Sequence, residues 1–193
     1  MASTVELKCF CGQLRGSLQV VPSSSFHVHC LCCDCQKYAE VLGNKERILD
    51  EHGGSELFQT YPAFLKITQG HEHISCVQLE PKGIYRWYAS CCNAPLANTM
   101  GKASVPFVGV SVKLMQFAGE DEKRRALGPI CLKAFGKYAV GEAMPVDVHP
   151  RFPVSFMPRI LWFMLKGALS GKAKPSPFFA DGRPVAKVLR AGV

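Results

Sequence analysis

Acid is nearly missing from one end of the chain. Of its 23 Lys and Arg and 15 Asp and Glu, eight bases but only one acid, Asp181, fall in residues 151–193, leaving 15 and 14 in residues 1–150. The basic character therefore belongs to the tail, which suits nucleic acid, anionic lipid or an acidic partner, or is simply a solvated surface. Other absences narrow the function. There is no Gly-rich phosphate loop, no H-E-x-x-H and no G-x-S-x-G, so nucleotide, zincin and serine-hydrolase chemistry lose their usual signatures. Residues 1–20 lack a charged start followed by an apolar run, so no secretory leader is expected. The expected compartment is the reducing cytoplasm, where disulfides are rare. Repeats and low-complexity tracts are also lacking.

What is abundant is cysteine, with ten in 193 residues. In a reducing compartment, close spacing favours metal over disulfides. Cys76 and Cys131 stand alone and read as small buried apolar residues. The others cluster. Hydrophobic residues make up 48% and charged residues 20%, the balance of a globular chain.

The first two-thirds read as short strands. Apolar and polar residues alternate over 5–9 and again over 14–20, after a turn at Cys11-Gly12. Further strands are predicted over 26–30, 64–68, 74–79, 84–89 and 104–115, with a turn at Pro81-Lys82-Gly83 and a short helix over 35–42. This density argues for a mainly β fold of antiparallel sheets. Gly119-Glu120-Asp121-Glu122 looks like a boundary, dividing a β domain over 1–118 from a basic, partly helical extension over 119–193. Helices are predicted over 123–138 and 156–170, separated by Pro145, Pro150 and Pro153. The second is apolar except for a stripe of Arg159, Lys166 and Ser170. It is too short to span a bilayer. Docking on the β domain is the default; a dimer contact or a membrane interface are the alternatives.

Cys30-Leu-Cys32-Cys-Asp-Cys35 is the strongest local signal. A C-x-x-C knuckle turns two thiolates toward one ion. Cys30, two residues before Cys32 on extended chain, faces the same side. The three can share a metal while Cys33 points elsewhere. Three thiolates leave a tetrahedral corner for water or substrate, unless Cys33, His29 or a remote residue closes it. Such an electron-rich site suits a soft sulfur ligand better than hydroxide. Cys9 and Cys11 form a second same-face pair, with Cys92 the firmer complement and Cys91 a potential fourth ligand; a Cys91–Cys92 disulfide competes with that reading. His27 and His29 are weaker ligand candidates, and His71 and His73 fall in a predicted turn.

These motifs, Cys9-Phe-Cys-Gly12, Cys30-Leu-Cys-Cys-Asp-Cys35 followed by Gln36-Lys37, and Cys92-Asn-Ala-Pro-Leu96, resemble the glutathione-dependent formaldehyde-activating enzyme (GFA) and centromere protein V family over roughly residues 7–115. The resemblance implies a β-tent of stacked antiparallel sheets with one or two zinc ions. Cys9, Cys11 and Cys92 would match the structural set, and Cys30, Cys32 and Cys35 the catalytic one. It also implies carbon–sulfur lyase chemistry on the adduct of glutathione with formaldehyde. The chain departs from the family pattern where Ala89 replaces the first cysteine of the late motif, where Asn93-Ala94 replaces Gly-Ser, and where Gln36 follows the triplet in place of Arg. The structural site is then either rebuilt with Cys91 or lost.

Three functions follow. An enzyme acting on glutathione or another small thiol predicts an open site at Cys30, Cys32 and Cys35. A non-catalytic zinc-stabilised binding module predicts a closed site and a basic tail that contacts nucleic acid, membrane or an acidic partner. A redox or metal-handling protein predicts reactive thiols at Cys33 and Cys91.

Overall fold

The computed structural model describes residues 3–81, 83–141 and 147–190; Lys82 of the predicted turn and Pro145 lie outside them. The fold is mainly β. A small antiparallel sheet has the order β1-β2-β5, made of β1 (Ser3–Lys8), β2 (Arg15–Val20) and β5 (Leu65–Gln69). An eight-stranded sheet runs β10-β3-β4-β9-β8-β7-β6-β13. Its strands are β3 (Phe26–Cys30), β4 (Ser55–Thr60), β6 (Ile74–Gln78), β7 (Tyr85–Ala89), β8 (Ala94–Thr99), β9 (Val108–Ser111), β10 (Ile130–Ala134) and β13 (Val188–Arg190). A short ribbon pairs β11 (Phe179–Ala180) with β12 (Arg183–Pro184). Helices are α1 (Cys33–Val41), α2 (Lys45–Ile48), α3 (Glu120–Leu127) and α4 (Met157–Leu169).

The main core lies between the two sheets. Val5, Leu7, Leu18, Val20 and Leu65 of the small sheet pack against Phe58, Trp87, Leu96, Val108 and Val110 of the large one. On β1, β2, β6, β7 and β9 the residues of this core fall at alternate positions, which leaves the other face for a second layer. On β6, Ile74 and Cys76 enter this core, whereas Val77 meets Tyr38, Ala39 and Leu42 of the α1 segment and Ile48 of α2 on the opposite face. Near the β3 and β10 edge, Phe26, Val28 and Leu132 receive Phe163 of α4.

Several predicted boundaries move. The predicted strand 104–115 is extended in the sheet only as β9, and Val112–Leu114 coils into a 3-10 turn that still buries Val112 and Leu114. Apolar content alone marked burial there, not extension. The predicted helix 123–138 ends as α3 at Leu127, because Gly128 takes φ +74° and Pro129 follows it. Beyond it, residues 130–134 pair parallel with β3 as β10. Strand β13 also pairs parallel, with β6. Thus both edges of the large sheet come from the segment after residue 119, and the antiparallel expectation fails there. Phe178 of the same segment is fully buried and stacks on Trp87, ring centroids 4.8 Å apart.

Candidate metal centres

Two tight turns present the first group. Between β1 and β2, the Gly12 N–H donates to the Cys9 carbonyl (3.0 Å) and Gly12 adopts φ +82°, a conformation that glycine takes without strain. Between β7 and β8, Asn93 takes φ +53°, which asparagine tolerates. Those turns bring Cys9 and Cys11 against Cys91 and Cys92. The sulfurs of Cys9 and Cys11 lie 3.6 Å apart, Cys11 and Cys91 3.4 Å, Cys9 and Cys91 3.8 Å, and Cys91 and Cys92 3.9 Å. All four lie within 4.8 Å of one another. These separations are far beyond a disulfide bond of about 2.05 Å, and all ten cysteines are free thiols. Cys91 is thus brought into the group beside Cys92. The Leu14 N–H donates to Cys9 Sγ at 3.2 Å. Against the desolvation that raises it, this bond and the Cys11 thiol bring Cys9 down to about 7, while burial pushes Cys91 and Cys92 up.

The second group is local in sequence. Cys30 ends β3, Cys32 caps α1 by accepting the Cys35 N–H (3.4 Å), and Cys35 sits in the first helical turn. Sγ of Cys30 and Cys35 are 3.8 Å apart, and the three sulfurs again fall within 4.8 Å. Cys33 is exposed and outside the group. Hydrogen bonds with Cys30 and Cys32, helped by the Arg86 guanidinium, hold the Cys35 thiol well below its ordinary range despite its burial. Its bond to Cys32, then its bond to Cys35 and burial, push Cys30 up; against its bond to Cys30, Cys32 rises to about 12 through Cys35 and burial. Crowded thiols of this kind release their protons to water together only when a cation takes the place of those protons, so the arrangement fits a metal.

Neither His27 nor His29 joins a group. His27 pairs with Glu56 (2.9 Å) and His29 with Asp50 (2.6 Å). Gly54 makes room for the latter, since a Cβ there would lie 2.0 Å from His29 Nε2. Cys76 is fully buried as expected, but Cys131 is exposed and donates to the His27 carbonyl. His71 and His73 lie in a short 3-10 turn.

Sequence reasoning missed the polar residues beside the triplet. Arg86, 3% exposed, places Nη1 3.9 Å from Cys35 Sγ and Nη2 3.7 Å from Asp34, with its guanidinium 5.4 Å from the Tyr38 ring. A cavity of about 20 Å³ is lined by Cys35, Ser55, Arg86, Asn98 and Ser111 among others. Ser55 Oγ and Asn98 Oδ1, and Gln59 Oε1 on the same face, are buried without a hydrogen-bond partner. Such groups are costly unless something fills the space. Only the sheet order β4-β9-β8-β7 brings these residues together. The sequence carried no signal for it: Tyr85, Trp87 and Ala89 take the core positions of that last strand, and Arg86 falls on the alternate face, where an arginine reads as solvent-exposed.

Fold and site together define a mainly β protein with two cysteine groups able to hold metal ions. The chain belongs to a family of unknown function, DUF6151, whose profile matches residues 1–189. No curated protein matches it. Among solved structures, it is similar to the crystal structure of a Rhodobacter sphaeroides protein at 15% identity, with a TM-score of 0.44, over 65% of this chain and 96% of that one.

Proposed function

We propose that both cysteine groups bind zinc and that the triplet is an open site acting in carbon–sulfur bond chemistry on a thiol–aldehyde adduct, with glutathione the reference thiol. The carrying observation is the unequal ligand count: four sulfurs gather in one group, and three in the other, where Cys35 borders a small, mostly apolar cavity that Ser55, Arg86 and Asn98 also line. Zinc fits the donor set. Thiolates bound at about 2.3 Å in a tetrahedron stand about 3.8 Å apart; five of the sulfur pairs lie 3.4–3.9 Å apart, and every pair within a group lies within 4.8 Å. A bound zinc would supply a positive centre that keeps an incoming thiol ionised.

The protein's own residues do the rest. Arg86 sets a fixed cation against the surplus negative charge of three thiolates. The cavity has room for about one water-sized group. It therefore takes the one-carbon partner, and the body of a tripeptide stays on the outer side, where Cys30 and Cys32 are half-buried. As the thiolate sulfur bonds to the aldehyde carbon, the carbonyl π pair moves onto oxygen, which takes from water a proton equivalent to the one the thiol released on ionising; Ser55 Oγ and Arg86 can donate hydrogen bonds to that oxygen, and Asn98 Oδ1 can accept one from the resulting hydroxyl.

Metal analysis of the purified protein should give two zinc ions per chain, and Cys30→Ser one. Adding glutathione should raise the mean sulfur count per zinc in X-ray absorption, and adding formaldehyde should yield the hydroxymethyl thioether by NMR. Unchanged metal content in Cys30→Ser removes the ligand assignment. An unchanged zinc shell with glutathione removes the open site.

A further inference from the structure

Helix α4 is apolar on two sides. Phe163 and Gly167 are buried, and Ile160 and Met164 pack with them against the β3 edge. Gly167 lets the helix approach closely, since a Cβ would meet the Tyr61 ring at 2.5 Å and Pro106 at 2.8 Å. The Tyr61 hydroxyl donates to the Phe163 carbonyl at 2.7 Å. The docked side is therefore fixed, and the other side is presented in one orientation. There Leu161, Trp162, Leu165 and Leu169 are exposed, Trp162 by 67% and Leu169 by 81%. At about 100° per residue, they share one arc of about 100°. Arg159 and Lys166 lie together along one border of the arc, Lys166 donating to the Ser23 carbonyl at 2.9 Å and Arg159 lying over the Phe26 and Phe156 rings.

Charge identifies the occupant. No acid lies between Asp147 and Asp181, while Arg151, Arg159, Lys166, Lys172 and Lys174 do. A second copy docked face to face would oppose these cations with their like. Nucleic acid would meet the cations but leave three leucines without a complement. An anionic lipid surface satisfies both, because acyl chains receive the apolar arc and headgroups the flanking cations. No helix among the described residues is long and apolar enough to cross a membrane, so the mode is to lie in the interface.

We infer that the outer face of α4 is an interfacial docking surface for anionic membranes, an inference independent of the metal chemistry. The chain carries its own reporter. Of its two tryptophans, Trp87 is fully buried and Trp162 exposed. Full-length protein should co-sediment with phosphatidylcholine vesicles containing phosphatidylglycerol but poorly with phosphatidylcholine alone. Its emission should shift to the blue on binding, and added salt should weaken the binding. Leu161→Ser combined with Leu165→Ser should lower partitioning at least about tenfold, with far-ultraviolet circular dichroism and metal content unchanged because both side chains are exposed. Absence of binding to the anionic vesicles overturns the inference. So does a dimer in sedimentation that the double variant makes monomeric, or DNA binding that the double variant leaves intact while vesicles are ignored.

Discussion

Glu56 is the acid on which His27 and Lys123 converge, at 2.9 Å from each. The His27 bond, and then Lys123, hold its carboxyl at about 2 against an ordinary 4.5, despite partial burial. Its folded value is depressed, so its stabilisation is complete above about 4.5 and disappears as pH falls toward 2. The full difference corresponds to about 3 kcal/mol, and 28% exposure of the side chain brings that to about 1–2 kcal/mol. Glu56→Gln should thus unfold at lower urea than the parent at pH 7, with the gap closing toward pH 3. Acid loss of metal is common to both proteins and cancels in the comparison. A gap independent of pH refutes the ionic account. The cysteine triplet was legible at this scale because its spacing alone makes three thiolates converge. Arg86 and Asn98 were not, since their meeting with Cys35 depends on strand order.

At the scale of elements, α4 was legible from its apolar run and from Pro158 in the first turn. What the run could not tell was which side docks, because both sides are apolar. Gly167 decides it. Alanine there gains about 1 kcal/mol of helix propensity, yet its methyl would press on Tyr61, which is fully buried and stacked 4.3 Å from Phe163. Overpacking costs typically about 1–3 kcal/mol and should win. Gly167→Ala is expected to lose about 1 kcal/mol in urea unfolding of the metal-loaded protein, and a gain would mean that α4 sits more loosely than the geometry requires. Strands β4 and β8 went unread for another reason. Leu57 and Phe58 adjoin without alternation, and β8 holds alanine, proline and asparagine, residues poor in strands, buried along its whole length.

For the molecule as a whole, the two cysteine groups differ in what they tie together. Cys9 and Cys11 leave the small sheet, and Cys91 and Cys92 leave the large one, so a metal among them clasps the two layers across their shared core. The contact of Cys11 with Cys91 spans 80 residues. Closing a loop of that size restricts the unfolded chain by about 4–5 kcal/mol, on the scale used for cross-links. The triplet closes only five residues, from Cys30 to Cys35, and fixes one strand end to one helix start. A metal in either site would add binding energy to folding, but only in the clasp would it add the long closure. Replacing Cys91 and Cys92 together by Ser should therefore cost more stability than Cys32→Ser, by about 3 kcal/mol, or roughly 10 °C in melting temperature for a chain of this length. Scanning calorimetry of the two zinc-loaded variants measures that difference, with chelator-stripped parent as the common floor. Cys32→Ser should keep most of its thermal stability while losing the thiol response. Equal losses, or a larger one in Cys32→Ser, would place the structural burden on the triplet and remove the division of labour between the two groups.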